Sequence, residues 1–265
     1  MNAAMPYKTP SGSSDSPSRS GRIHFMDEVR GFDLLLMIAF HSFYTIGWLF
    51  RVPAGQTLFL FFQPVEPFFA GVFIFICGIS CRLSHNNWLR GGVLLGIAVG
   101  MSVFLWVFMR DEMIWFGILH FLAVSILLFA LCRPLLDRIP LSAGLIACAL
   151  LLLITWWLPY NRASFFGIPG LFGWELPSSV VSNPWLYPLG LGQLKGADYF
   201  PLFPWLFCFL AGTFVGRLAA AHRFPRWMYK SRVPWLSWLG RHTLIIYVVH
   251  QPVIFALCWL ITTLL

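Results

Sequence analysis

Charge is what this chain has least of. Only 11% of its 265 residues are Asp, Glu, Lys or Arg, against about a quarter in an ordinary soluble domain. Hydrophobic residues make up 58%, so a water-soluble globule is excluded. The six cysteines, at 77, 81, 132, 148, 208 and 258, lie within or beside apolar runs. None lies in the long loop 159–199, so no disulfide framework is expected and the thiols read as small packing groups. Cys77 and Cys81 stand one helical turn apart without the second pair a metal site needs. No metal site and no bound cofactor are therefore expected. Alternating ten-residue segments are also missing, which excludes a β-barrel.

What the chain does have is apolar runs of about 20 residues, the length that crosses a bilayer core roughly 30 Å thick. Seven are legible: Gly31–Phe50, Leu58–Cys81, Gly91–Met109, Met113–Cys132, Leu141–Leu158, Phe200–Ala221 and His242–Leu264. The reading is an all-α, polytopic integral membrane protein with about seven transmembrane helices. Residues 1–21, rich in Ser and Pro, are expected to be a disordered tail. Residues 22–265 form a single transmembrane domain, with the outer loop 159–199 as its one long connection and a candidate lid or binding loop.

The formal net charge of +8 would suggest nucleic acid if it were spread evenly. Instead it sorts by loop. With the N-terminus inside, fourteen of the eighteen Lys and Arg fall on the inner side, and only Arg51, Arg110, Arg162 and Lys195 fall outside. The positive-inside rule then sets the N-terminus in the cytoplasm and the C-terminus outside. A multi-pass protein of the inner (plasma) membrane is expected, with no nucleic-acid partner.

Ionisable residues within such spans are costly and mark function by default. The first span carries Asp27-Glu-Val-Arg30-Gly-Phe-Asp33 at its head and His41 in its middle. At about 100° per residue, Asp27, Arg30, Asp33, His41 and Tyr44 share one stripe. Glu66 stands between Pro64 and Pro67 at the outer end of the second span. His120 follows Gly117, Asp198 sits at the outer mouth of the sixth span, and Arg241 and His250 lie on the last. Gly92, Gly96 and Gly100 form a small-residue ridge suited to close helix packing.

These blocks resemble the heparan-α-glucosaminide N-acetyltransferase catalytic-domain family, and within it the short bacterial members. The resemblance rests on Asp27-x-x-Arg30-Gly31 with His41, then Glu66 with Gly71 to Ser80, then Gly117-Ile-Leu-His120. Asp198-Tyr-Phe-Pro-Leu-Phe-Pro204-Trp205 follows, and Leu239-Gly-Arg241-His242 with Tyr247 and His250-Gln-Pro252 completes it. It runs from about Arg22 to the C-terminus and implies acyl transfer across a membrane. Acetyl-CoA, or another acyl-CoA, would be the cytoplasmic co-substrate, and an amino sugar or envelope glycan the acceptor outside. The lysosomal members have more spans and an extra luminal domain, so the heparan substrate itself is not implied. A homodimer is left open.

On this reading His41 is the general base, because histidine titrates near neutrality. Glu66 or Asp27 would fix its tautomer. Arg30 would meet the phosphates of CoA. Tyr44, His120 or His250 would stabilise the developing oxyanion, while Asp33, Asp198 and Arg241 complete the substrate-binding set. Two other classes fit the same residues. One is a proton-coupled transporter or flippase of an envelope metabolite, for which an inverted repeat would speak. The other is a b-type haem protein using His41, His120 and His250. A non-catalytic assembly subunit is a third alternative.

Overall fold

The computed structural model describes residues 21–159, 164–191 and 198–264. The expected N-terminal tail therefore lies outside the described residues, apart from Gly21. The chain is built from helices: α1 (His24–Tyr44), α2 (Pro53–Phe62), α3 (Glu66–Leu83), α4 (Asn87–Phe108), α5 (Ile118–Leu136), α6 (Leu141–Thr155), α7 (Ser178–Val181), α8 (Leu202–Ala220), α9 (Pro234–Arg241) and α10 (Thr243–Leu264). Among the described residues, six helical segments are long and apolar enough to cross a membrane: α1 with its extension to Leu49, α3, α4, α5, α8 and α10. The seventh expected span, α6, has only 15 residues, about 22 Å of helix, and four residues of turn lengthen it.

Start signals are readable in the residues. Asn86 accepts a hydrogen bond from Leu89 N at 2.9 Å and caps α4, as a short polar side chain does at an N-cap. Proline stands in the first turn of α2, α3 and α9, where its missing N–H costs nothing. The expected second span, Leu58–Cys81, is broken in two. Gln63-Pro64-Val65 forms a turn, since a proline cannot continue the helical ladder. The short α2 folds back along the end of α1, with Gly47 against Gly55 and Phe59 stacked on Phe40 at 4.6 Å. Only α3 then crosses. Beyond Tyr44, α1 widens into five residues of π-helix, Thr45–Leu49, a form often found at functional sites.

Close packing uses glycine, though not where the sequence pattern pointed. A Cβ on Gly78 would collide with the carbonyl of Phe209, and one on Gly212 with that of Phe75, so α3 and α8 touch backbone to backbone. Gly31 and Gly240 bring α9 against the start of α1 in the same way. The ridge Gly92, Gly96, Gly100 has nothing within 4 Å and packs against no described part of this chain. The buried core lies between α3, α5 and α8 and includes Ile74, Phe121, Phe129 and Phe209.

The long connection is more structured than its composition suggested. Phe165–Ile168 (β1) pairs antiparallel with Phe172–Glu175 (β2), and α7 and a 3-10 turn, Pro184–Leu189, follow. The segment returns over the bundle with Tyr199 stacked on Tyr187 at 4.2 Å.

Candidate functional site

Helices α1, α2, α3 and α10, the first turn of α5 and the end of the long loop enclose a cavity of about 410 Å³. Its wall is largely aromatic. Asp33 and His41 from α1, Glu66 from the first turn of α3 and Asp198 from the loop break that surface, with the tyrosines Tyr199 and Tyr247 beside them. No lysine or arginine is among the described lining residues, so the cavity is acidic as well as apolar. Asp33 is buried, and its Oδ2 has no partner among the described residues.

His41 meets His250. The Nδ1 of His41 and the Nε2 of His250 lie 3.0 Å apart, and His250 Nδ1 lies 2.5 Å from the backbone carbonyl of Tyr247. The protons are assigned by these partners. A carbonyl only accepts, so Nδ1 of neutral His250 carries hydrogen and its Nε2 carries a lone pair. His41 Nδ1 then donates to that lone pair. The remaining nitrogen of His41, Nε2, is left with its own lone pair. A nitrogen separation of 3.0 Å is that of a hydrogen bond.

Two further bonds tie the long loop to this pair. Asp198 Oδ2 accepts from the Tyr247 hydroxyl at 3.2 Å. Both its oxygens lie 3.3–3.4 Å from the Ile118 N–H at the start of α5. A carboxylate from 80 residues away thus caps a helix whose own N-cap, Gly117, has no side chain to do so. Burial pushes the Asp198 carboxyl up to about 6, against the opposing pull of the Ile118 and Tyr247 hydrogen bonds.

The sequence-derived candidates divide into three groups. Asp33, His41, Glu66 and Asp198 converge on the cavity, and His250 joins them by holding His41. Asp27 and Arg30 lie at the other end of α1. Asp27 binds Arg22 at 2.6 Å and Arg30 at 3.2 Å, and Arg30 reaches Ser80 on α3. Asp27 is 14 residues from His41, about 21 Å along the helix. It therefore does not fix the tautomer of His41, and neither does Glu66; His250 holds that nitrogen.

The remaining three candidates face elsewhere. Tyr44 donates to Glu112, in the turn between α4 and α5, at 3.0 Å. His120 is buried against Ser102 of α4 at 3.3 Å, and Ser102 in turn donates to the Ile114 carbonyl at 2.6 Å. Arg241 is exposed and bonds Ser237 O. Sequence reasoning named Tyr247 only as part of the last motif and gave it no role; its hydroxyl and carbonyl hold Asp198 and His250. Its place one turn before His250 on α10 was the available signal.

Comparison with curated proteins finds no match to this chain, and comparison with solved structures finds none either. The family model described as heparan-alpha-glucosaminide N-acetyltransferase, catalytic, matches residues 22–252. That stretch runs from the first residues of the bundle to Pro252 on α10 and includes every side chain that lines the cavity. The chain therefore belongs to the heparan-alpha-glucosaminide N-acetyltransferase catalytic-domain family, a family of membrane transferases.

Proposed function

We propose that this protein transfers an acetyl group from cytoplasmic acetyl-CoA to an amino sugar or envelope glycan on the opposite side of the inner membrane, with His41 as general base. The observation that carries the proposal is the fixed tautomer pair. His250 holds the proton on Nδ1 of His41, so Nε2 can accept one from an incoming amine or hydroxyl beside the cavity. Removing that proton as the nucleophile attacks the thioester carbonyl is general-base catalysis. The CoA thiol leaves with a proton that the newly formed imidazolium can return.

The cavity's charge divides the labour. Its carboxylates, Asp33, Glu66 and Asp198, favour an acceptor that arrives as an ammonium ion and repel phosphates. Such an ion gives one proton to a carboxylate before the free amine attacks and a second to His41 as it does so. The phosphate-bearing end of CoA then belongs outside it. Arg30 lies eleven residues before His41 on α1, about 16 Å by helical rise, a span an extended pantetheine arm can bridge. It also lies at the arginine-rich end, which the charge bias assigns to the cytoplasm.

The test uses purified protein, acetyl-CoA with a labelled acetyl group, and glucosamine as trial acceptor. Wild type should transfer label, and folded His41→Ala should lose at least 100-fold, the usual scale for a general base. Equal transfer by the two proteins would remove His41 from the mechanism.

A further inference from the structure

Asp33 stands apart from the other carboxylates of the cavity. On α1 the lining residues run from Asp33 to Phe43, so Asp33 marks the end nearest Arg30, which does not line it. Arg30 is three residues further down the helix, about 4.5 Å by rise, and His41 is eight residues further up, about 12 Å. Glu66 belongs to the His41 end. It precedes Ser80, the partner of Arg30 on α3, by 14 residues, about 21 Å of helix. Asp33 is 5% exposed and its Oδ2 has no partner among the described residues. A carboxylate oxygen held out of water without a hydrogen bond is costly, so this one calls for a partner that does not come from the fold.

Thr243 lines the same end of the cavity. Gly240, three residues before it, packs against Asp27, which sets Thr243 near the depth of Arg30 and Asp33. Its hydroxyl donates to the Gly240 carbonyl at 2.7 Å and keeps only lone pairs for a ligand. Asp33 and Thr243 together therefore offer hydrogen-bond acceptors, and select a ligand that brings N–H or O–H groups. The acetyl-CoA reading lays such a molecule across this spot. Counted from the thioester sulfur at roughly 1.2 Å per bond of extended chain, the pantoyl amide nitrogen lies about 8 Å away, the pantoyl hydroxyl carbon about 11 Å and the first phosphorus about 16 Å. The matching distances from His41 along α1 are about 12 Å to Asp33 and about 16 Å to Arg30. With the sulfur beside His41 and the phosphate on Arg30, the pantoyl N–H and O–H fall at Asp33. We infer that Asp33 binds the pantetheine arm of the acyl donor, its carboxylate accepting from the pantoyl amide or hydroxyl; the inference rests on the acetyl-CoA reading. An amine on the acyl acceptor is the other claimant, but to react it must sit at His41, about 12 Å away.

The test gives the purified full-length protein glucosamine and three acetyl donors. Acetyl-CoA is the first. S-acetylpantetheine keeps the pantoyl group without the nucleotide, and N,S-diacetylcysteamine keeps the thioester but lacks the pantoyl group. Asp33→Leu should raise KM about ten-fold for the first two, the scale of a hydrogen bond to a charged group, and leave KM for N,S-diacetylcysteamine within two-fold. Asp33→Asn, whose amide oxygen still accepts, should recover most of the loss. Asp33→Leu removes a buried oxygen that has no partner among the described residues, so its Tm should match or exceed that of wild type. An equal rise in KM for all three donors would overturn the assignment. So would a rise confined to glucosamine, which would put Asp33 on the acyl acceptor. Wild type that consumes none of the donors would remove the acetyl-CoA reading, and the role of Asp33 with it. Wild type that consumes them while Asp33→Leu keeps its KM would remove the role alone.

Discussion

Replacing His250 by phenylalanine isolates what the tautomer pair contributes. In the resting enzyme the His41–His250 bond joins two neutral rings at 3.0 Å and has a net value of about 1 kcal/mol. On the proposed mechanism His41 becomes an imidazolium when it takes the acceptor's proton, and the same bond would then be charge-assisted and about twice as strong. The extra ~1 kcal/mol exists only in the transition state, so its loss slows turnover about five-fold. Without His250, His41 also samples the tautomer that points its lone pair away from the cavity, which multiplies the loss by a few. A fall in kcat of about ten- to thirty-fold is expected, well short of the ~10⁴ lost when a charged orienting carboxylate is neutralised.

KM for acetyl-CoA should change less than two-fold, because His250 is not among the cavity-lining residues and its effect is confined to the transition state. His250→Gln, whose amide oxygen can again accept from His41, should recover most of the rate. The assay is labelled acetyl transfer across a range of acetyl-CoA concentrations, with Tm of each variant measured alongside. A His250→Phe enzyme as fast as wild type would refute the tautomer reasoning. So would a rise in KM that accounts for the whole defect.

Arg30→Gln should raise KM at least ten-fold for acetyl-CoA but leave turnover of acetyl-pantetheine, which lacks the nucleotide end, within two-fold; equal effects on both donors would remove Arg30 from phosphate binding. Burial lifts the Asp198 carboxyl to about 6, above its unfolded value of about 3.9, so the protonated form is favoured in the fold and this group's stabilising contribution is full below about pH 4 and lost as pH rises through about 6. Thermal melts should therefore show wild type falling relative to Asp198→Asn between about pH 4 and 7, and parallel curves would contradict the assignment. Gly78→Ala should destabilise the bundle by about 1–3 kcal/mol, the usual cost of overpacking, because its Cβ meets the Phe209 carbonyl. Gly96→Ala, with nothing within 4 Å, should be neutral or raise Tm slightly; comparing the two melts tests which glycines hold helices together.

Much of the site was visible in single residues. The cost of placing ionisable groups among apolar ones made Asp33, His41, Glu66, Asp198 and His250 stand out, and the structure gathers all five around one cavity. The angular stripe on α1 was less reliable. Asp27, Arg30 and Tyr44 share the projected face of His41, yet Asp27 pairs with Arg22 and Arg30 at the start of the same helix, Arg30 reaches Ser80 on α3 and Tyr44 reaches Glu112 beyond α4. A helical wheel gives direction and not depth, and at 1.5 Å per residue Asp27 is too far down the helix to reach His41. His120 was a comparable case: depth suggested function, but Ser102 on the neighbouring helix satisfies it.

By itself the sequence determined that this chain is a bundle of apolar helices with its arginines gathered at one end, because those properties follow from composition and from periods of a few residues. It also carried the family in the order of its motifs. What only the tertiary structure decided is which groups meet. The break at Pro64, the choice of Gly78 and Gly212 over Gly92 and Gly96 as contact points, and the pairing of His41 with a histidine 209 positions away all depend on how helices distant in sequence pack. Close contacts of that kind are set by the fit of two surfaces, and neither surface is written in one helix alone.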